Sequence, residues 1–301
     1  MTDRSSPSHA LARAVPLYIL AGFFLSSLDA TAKVLVREYP LWWVVWARYA
    51  GHLLVVVPLA LHKVGPGFWR TRHPLLQVTR SALLLVATIA FFSALRYLPL
   101  AEASAISFLA PMIVVLLAGP LLGEKVTKVR WIAAGCGFFG VLLITRPGSI
   151  AFHPAAILMF GMAGCNALYQ LLTRKLTGDS AYTTLFHSAT VGAIAFTLLL
   201  PMLDPHPLPG IRDALLFLAC GVLAGLGHWC MITAFLQAQA SQLTPFAYLQ
   251  MAWPLAFGWM LFGQFPDAIS MTGMAVILAS GTWLAWQERR RAQPLIAPPE
   301  D

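Results

Sequence analysis

The sequence has little charge: only 11% of its 301 residues are Asp, Glu, Lys or Arg, and 58% are hydrophobic. Soluble domains carry about 25% charged and about 45–50% apolar residues. So few charges cannot cover the surface of a water-soluble fold of this size, and the mean hydropathy of +0.72 agrees with that. The composition therefore excludes a soluble domain, a disordered chain and a coiled coil, and it predicts an all-α membrane protein.

The motifs of metal sites, disulfide scaffolds and ATP use are also absent. The four cysteines lie inside apolar runs without C-x-x-C spacing, so buried thiols are expected. No His, Cys and Asp residues have metal-ligand spacing, and there is no Walker A loop. We therefore expect no metal, no cofactor and no direct use of ATP. The scattered acidic residues are not paired with histidine, which disfavours a membrane-embedded lipid-modifying enzyme, the outside alternative.

Long apolar runs fill most of the chain, and each is bounded by charge, proline or glycine. A membrane-spanning helix needs about 20 apolar residues, so ten helices account for roughly two thirds of the sequence. A short cytoplasmic leader, 1–14, and a basic tail, 288–301, flank them. The predicted spans are 15–35, 41–61, 75–95, 99–122, 128–146, 153–173, 179–201, 211–236, 241–263 and 267–287.

Positive charge is divided unevenly between the two sides of these spans. Of the 20 Lys and Arg residues, 13 fall on the side of the N-terminus and four on the other side, while Lys33, Arg48 and Arg80 lie in or at the edge of spans. Because cytoplasmic loops are enriched in Lys and Arg, both termini are predicted to be cytoplasmic, in a bacterial inner membrane. Topology then explains the positive charge, and no nucleic-acid partner is expected.

The two halves of the chain resemble each other when the sequence is shifted by about 140 residues. Since five helices are an odd number, the second half would cross the membrane in the opposite sense. The sequence therefore predicts two inverted five-helix repeats, 15–146 and 153–287, an arrangement typical of secondary transporters with a site near the bilayer midplane. Matched positions include Glu102 over Gln242, Glu124 over Gln264 and, with a shift of 137, Asp29 over Asn166.

The segment 94–144 resembles the EamA family of the drug/metabolite transporter superfamily. It combines small residues at helical spacing with Pro111 in mid-helix and the sequence Leu-Gly-Glu at 122–124. The second copy departs from this pattern, with Gln264 at the acidic position and Met251 at the proline position. The resemblance implies a ten-helix carrier. Similar carriers move amino acids, purines, riboflavin, S-adenosylmethionine or opine-type metallophores, some inward and some outward.

Ionisable side chains within the first two spans are the first candidates for transport. Such a group costs about 2.5–3.5 kcal/mol in mid-membrane and usually has a partner or a wet cavity. Asp29 and Lys33 are four residues apart and so share a helix face. They would neutralise each other, bind the charged ends of a zwitterion, or use Asp29 to carry a proton. Arg48, one turn from His52, would hold a substrate carboxylate or phosphate, or serve as the counter-ion of Asp29.

Polar and aromatic residues of later spans complete the predicted binding site. Asn166, Tyr169 and Gln170 share one face of the sixth span, which is expected to meet the first span. Glu102 opens the fourth span, where an acid at a helix N-terminus is favourable in any case, and with Asp29 it is the candidate for proton coupling. The further substrate-binding candidates are His228, Trp229, Tyr248 and Trp253.

These residues predict a secondary active transporter with alternating access. The expected cargo is a small polar zwitterion, such as an amino-acid-like compound or an opine-type metallophore, exported at the expense of the proton gradient. Uptake of riboflavin, a purine or S-adenosylmethionine is the alternative. Membrane lipid and a proton are the expected partners, and a homodimer is left open. The spacing Gly221-x-x-x-Gly225, like Gly161-x-x-Gly164, predicts close helix approach.

Overall fold

The computed structural model describes residues 7–122, 127–148, 152–176, 178–199, 202, 208–237, 243, 246 and 249–292. These residues form α-helices and, within that part of the chain, no strand. The helices are α1 (Pro7–Glu38), α2 (Leu41–Val64), α3 (Pro74–Leu95), α4 (Leu100–Ser107), α5 (Leu109–Leu122), α6 (Lys128–Thr145), α7 (Ala155–Arg174), α8 (Ala181–Leu199), α9 (Ile211–Gln237), α10 (Ala252–Phe262) and α11 (Ala268–Ala292).

Seven of the described helices are long and apolar enough to cross a membrane, which confirms a multi-pass membrane protein. They are α1, α2, α3, α6, α7, α8 and α9, and α4, α10 and α11 contain shorter apolar segments. The helix ends differ most from the ends of the predicted spans at the two termini of the chain. Residues 7–14 of the predicted leader already belong to α1, and α11 continues to Ala292.

The predicted fourth span, 99–122, is not one continuous helix. It divides into α4 and α5 at Phe108, which has a turn conformation. Pro111 has no N–H to bond the carbonyl of Ser107, and a proline ring clashes with that carbonyl in a regular helix. The break therefore lies where the proline requires it. α10 likewise begins just before a proline, Pro254, after a turn at residues 250–251.

Helices of the first half pack mainly on helices of the second half. α1 lies along α9, α3 along α7, α2 against both α8 and α9, and α6 along α11. α1 and α9 are antiparallel, because Tyr39 at the end of α1 contacts Asp213 and Phe217 at the start of α9. The core between the halves thus consists of contacts distant in sequence.

Small residues allow the closest of these contacts. A Cβ atom added at Gly221 of α9 would lie 2.3 Å from Cα of Gly51 in α2, and one at Gly225 would lie 2.5 Å from Cβ of Val55. Both contacts advance in the same direction, so α2 and α9 are parallel. The close approach predicted for Gly221 and Gly225 is therefore observed. The one predicted for Gly161 and Gly164 is not observed, since within the described part of the chain no atom of another helix lies within 4 Å of an added Cβ there.

Candidate functional site

A polar cluster lies where α1, α2 and α9 meet. Arg48 is only 7% exposed and His52 only 2% exposed. One turn of helix separates them, which places both on the same face of α2. Nη1 of Arg48 and Nε2 of His52 are buried, and neither atom has a hydrogen-bond partner. Buried polar atoms without partners are few in folded proteins and each requires an explanation, so two of them on one helix face make this cluster a candidate site.

Asp29 of α1 supplies the acidic group of this cluster. Its side chain is half-buried, and Arg48 and Cys220 are within electrostatic range of it. Within the described part of the chain its carboxylate has no hydrogen bond or ion pair. The cluster therefore contains a carboxylate and a guanidinium that are close enough to influence each other without forming a closed salt bridge.

Lys33 shares a helix face with Asp29 but lies outside this cluster. Its Nζ donates hydrogen bonds to the carbonyl oxygens of Leu95 (2.8 Å) and Leu98 (2.5 Å) and lies 5.5 Å from the centre of the Phe262 ring. The carbonyls at a helix C-terminus have no partners within the helix, so a lysine there stabilises the end of α3. The predicted Asp29–Lys33 pair is not formed.

His52 and His228 form an imidazole pair between α2 and α9. Their ring centroids are 5.2 Å apart and the rings are inclined by 30°. Nδ1 of His228 is 2.8 Å from the carbonyl oxygen of Ala224. A carbonyl oxygen can only accept, so Nδ1 carries the proton and Nε2 of the neutral ring has a free lone pair. His228 was predicted from the sequence, whereas His52 was noted only as a neighbour of Arg48.

Arg80 of α3 is a functional candidate that the sequence interpretation left without a role. It is 1% exposed. Its Nε donates to Oγ1 of Thr173 (2.9 Å), and Nη1 donates to Oγ of Ser188 (2.9 Å), the carbonyl oxygen of Thr184 (3.1 Å) and Oε1 of Gln77 (3.2 Å). A guanidinium needs such a set of acceptors in a membrane interior. The sequence does contain a signal for Arg80, namely an arginine inside an apolar run, which is rare.

Tyr169 joins this second group, since the Arg80 guanidinium lies 4.5 Å from the centre of its ring. Asn166 and Gln170 on the same helix are half-buried. The expectation that this face meets the first span is wrong, because α7 packs chiefly on α3 and α5. The contacts of Arg80 with Thr173 and Tyr169 connect α7 to α3 rather than to α1.

The remaining aromatic candidates do not gather around Asp29. Trp253 of α10 packs edge-on against Phe23 of α1, with ring centroids 5.2 Å apart. Nearby, Nε2 of Gln250 donates to the carbonyl oxygen of Tyr18 (3.0 Å). Trp229 is half-buried next to His228 in α9, and Tyr248 lies outside the described residues. These contacts place Trp253 in the interface between α1 and α10.

Glu102 belongs to a different polar group, near the ends of α4, α6 and α11. Oε1 of Glu102 accepts a hydrogen bond from Oγ of Ser270 (3.0 Å). Beside it, Arg146 forms a salt bridge with Asp267. The hydrogen bond from Arg146 is the main cause that lowers the pKa of Asp267 well below its usual range. Glu102 is therefore hydrogen-bonded at the mouth of the bundle, by which we mean the end where α4 and α11 begin and α6 ends, and it does not belong to the central cluster.

Another polar group connects the α2–α3 loop to the α7–α8 loop. Asp179 accepts hydrogen bonds from Oγ1 of Thr71, from Nε2 of Gln77 (3.0 Å) and from the backbone N–H of Arg72 (3.3 Å). Partial burial alone would raise the pKa of Asp179, but these hydrogen bonds lower it below its usual value. Since Gln77 also accepts from Arg80, a chain of hydrogen bonds leads from this loop contact to the interior.

In the described part of the chain, no group of three His, Cys, Asp or Glu residues could hold a metal ion. The central cluster has the groups needed to bind a small molecule instead. It offers a guanidinium, an imidazole pair and a carboxylate, each of which complements a charged or polar end of a ligand.

Comparison with known proteins gives matches across nearly the whole chain. The model of the EamA-like transporter family matches residues 12–146 and again residues 153–286. A riboflavin transporter of Rhizobium johnstonii is 28% identical over 95% of this chain and 94% of its own length. An S-adenosylmethionine uptake transporter of Rickettsia conorii is 25% identical over 89% and 93%. The pseudopaline exporter CntI of Pseudomonas aeruginosa is 26% identical over 88% and 93%.

A protein of known crystal structure shares the fold. It has a TM-score of 0.67 and 20% sequence identity to this chain, and the match covers 93% of this chain and 99% of the other. At this identity the likeness concerns the fold alone.

Proposed function

Because the chain belongs to the EamA-like transporter family, we propose that this membrane transporter carries a small zwitterionic amino-carboxylate across the bacterial inner membrane. The alternative of a lipid-modifying enzyme is set aside, since the family and the named relatives are transporters. In the proposed site, Arg48 binds the cargo's carboxylate and Asp29 its ammonium group. The observation that carries the proposal is the buried, unpartnered Nη1 of Arg48 within electrostatic range of the unpaired Asp29.

The energetics of these two groups favour a ligand with both charges. A buried donor left without an acceptor costs about 1–3 kcal/mol, and more when the group is charged. A cargo carboxylate would accept a charge-assisted hydrogen bond from Nη1 of Arg48. A cargo ammonium would give Asp29 the partner that Lys33 does not provide. A zwitterion therefore completes both halves of the site without adding net charge to the membrane interior.

Of the three compounds in the names of these relatives, two are consistent with such a cargo. S-adenosylmethionine ends in an amino acid, and opine-type metallophores such as pseudopaline are amino-carboxylates, whereas riboflavin has neither a carboxylate nor an ammonium group. Two of the relatives reported above are named for opposite directions, one for uptake and one for export. We propose export driven by the proton gradient, with uptake of S-adenosylmethionine or riboflavin as the second candidate.

The test is untargeted metabolite profiling of cells and medium after deletion of the gene and after its restoration. An exported amino-carboxylate should accumulate in the deletion cells, disappear from their medium, and return with the wild-type gene. Arg48→Gln should not restore it, whereas Arg212→Gln should, because Arg212 is an exposed arginine in the first turn of α9. A compound left unconsumed in the medium would favour uptake, and full restoration by Arg48→Gln would refute the assigned site.

We also propose that the two halves are inverted five-helix repeats with both termini in the cytoplasm. Two matches of one family model support this. The helix pairs support it too, because exchanging corresponding helices converts the α1–α9 pair into the α7–α3 pair and the α2–α9 pair into the α8–α3 pair. In a cysteine-free background, an impermeant thiol reagent should label His153→Cys from outside and Gly178→Cys only after permeabilisation. The reverse pattern would refute the orientation.

A further inference from the structure

We propose that Arg48 and the His52–His228 pair bind the cargo's carboxylate together with one proton, which the imidazole pair takes up as the anion enters. This inference rests on the proposed function, since it assigns a proton to the same site. Because proton and cargo would then cross the membrane in the same direction, a proton gradient would drive uptake, the second candidate, rather than export. Sequence interpretation had assigned proton coupling to Asp29 and Glu102. The structure points instead to the basic side of the cluster, because Glu102 is engaged with Ser270 at the mouth of the bundle.

The arrangement of unpartnered atoms carries this proposal. Nη1 of Arg48 and Nε2 of His52 are both buried and without partners on one face of α2. The neutral His228 ring has its proton on Nδ1, bonded to Ala224, which leaves its Nε2 able to accept a proton. Nη1 of Arg48 and Nε2 of His52 thus lie without hydrogen-bond partners on one face of α2, with the centroid of the His228 ring 5.2 Å from that of the His52 ring. A carboxylate entering this region gains a second donor, beside Arg48, when an imidazole becomes protonated.

The charges around the pair explain why the proton and the anion bind together. Arg48 is within electrostatic range of both imidazoles, and Arg80 of α3 is within range of His228. Two guanidinium groups oppose a further positive charge as long as no anion is present. A carboxylate bound close to the imidazoles instead favours their protonation, because opposite charges attract each other strongly in a poorly solvated interior.

Other titratable groups near the pair do not provide the missing charge. Asp29 of α1 is the nearby carboxylate, and it faces Arg48. Cys220 of α9 and Tyr49 of α2 are buried neutral groups. The titratable side chains of α8, Tyr182 and His187, lie in its first two turns, and His187 contacts the carbonyl oxygen of Trp69 at the loop end of the bundle. The anion must therefore come from the cargo.

The binding step is balanced in charge and protons. The empty site holds neutral imidazoles, and one proton moves from the aqueous side open to the site onto Nε2 of His52 or His228. The imidazolium and Arg48 then donate hydrogen bonds to the carboxylate. No covalent bond forms or breaks. Each carboxylate binds with one proton, which offsets the negative charge of the carboxylate within the site.

Binding of succinate to the purified full-length carrier tests this directly. Succinate supplies carboxylates without an ammonium group, so it probes the basic side of the site alone, and succinamide is the neutral control. A ligand that binds the folded protein raises its unfolding temperature. We expect succinate, but not succinamide or chloride, to stabilise the carrier. The apparent affinity should rise by up to about tenfold per unit of falling pH between about pH 7.5 and about pH 5.5.

Variants separate the proton from the anion. His52→Gln combined with His228→Gln should bind succinate with an affinity that no longer depends on pH, and Arg48→Gln should lose binding at every pH. His62→Gln is the matched control, because His62 is an exposed histidine at the far end of α2. It should retain the wild-type pH dependence. If the double variant does not fold, the inference is tested by measuring proton uptake by the wild-type protein. A pH-indicator dye should then report about one proton taken up per succinate bound.

Several results would overturn the inference. They are no stabilisation by succinate at the lowest pH, equal stabilisation by chloride, no proton uptake, or unchanged pH dependence in the double histidine variant. The proposed function fails differently, namely when no amino-carboxylate changes in the deletion strain. Binding in detergent and transport in cells therefore report on the two proposals separately.

Discussion

The contact between Gly51 and Gly221 gives the sharpest structural prediction. Replacing Gly221 by Ala puts a Cβ atom 2.3 Å from Cα of Gly51 and 2.6 Å from the carbonyl oxygen of Ala47. Carbon atoms in contact are about 3.5–4.0 Å apart, so α2 and α9 must separate by roughly 1.2 Å or more. Because both obstructing atoms belong to the backbone, no side-chain rotation relieves the clash. Overpacking of this kind costs about 1–3 kcal/mol.

The unfolding temperature of the purified protein measures this cost. With about 2–4 °C per kcal/mol, Gly221→Ala should melt roughly 2–12 °C below the wild type. Gly164→Ala is the matched control on α7, where an added Cβ meets nothing within 4 Å, and it should melt like the wild type. Gly221→Leu together with Gly225→Leu should abolish transport while the protein still inserts into the membrane.

A double-mutant cycle locates the effect in the contact itself. If Gly51→Ala and Gly221→Ala separate the same two helices, the double variant should lose less stability than the two single variants do in sum. Equal melting of Gly221→Ala and the wild type would refute the close approach of the helices. Additive losses would show that the two glycines act independently.

Three further perturbations test other parts of the molecule. Arg80→Gln should cost about 1–3 kcal/mol, because it leaves buried neutral acceptors of Arg80 unpaired, and Arg80→Lys should not restore the melting temperature, because a lysine lacks the planar donor fork. Asp29→Asn should weaken both accumulation and downhill exchange of the zwitterionic cargo in proteoliposomes, because it removes the partner of the cargo's ammonium group, and unchanged transport would exclude that role for Asp29. The carboxylate of Asp179 has a lowered pKa, so its stabilising contribution is present at neutral pH and is lost as pH falls below the ordinary value of 3.8. Proteolysis of the α7–α8 loop should therefore increase in acid for the wild type and already at neutral pH for Asp179→Ala.

The course of the helices was largely predictable because it depends on local composition. The predicted spans 75–95 and 211–236 agree with α3 and α9 to within one residue at each end. Apolar length sets such boundaries, since charged residues are costly in the membrane interior. The division of the fourth span was also present in the sequence as Pro111. It was overlooked because proline is tolerated in many membrane helices.

The partners of the charged residues could not be predicted in the same way. Asp29 and Lys33 share a helix face, but sequence spacing does not reveal that the carbonyls of Leu95 and Leu98 compete for the ammonium group. The orientation of α7 was misjudged for a related reason. Corresponding helices of two proposed repeats need not touch each other, and α7 packs on α3 just as α1 packs on α9.

The distribution of polar contacts bears on how the proposed carrier would move. At one end, Asp179 joins the α2–α3 and α7–α8 loops, and at the other, Tyr39 donates to Asp213 between α1 and α9 (2.7 Å). Both contacts are hydrogen bonds to carboxylates near water, which are weaker in net free energy than buried charged networks. In the central cluster, in contrast, Nη1 of Arg48 and Nε2 of His52 have no hydrogen-bond partner. Binding of a cargo that satisfies these buried groups would release more free energy than either end contact supplies. Cargo binding in the central cluster could therefore offset the loss of one end contact and so favour its opening.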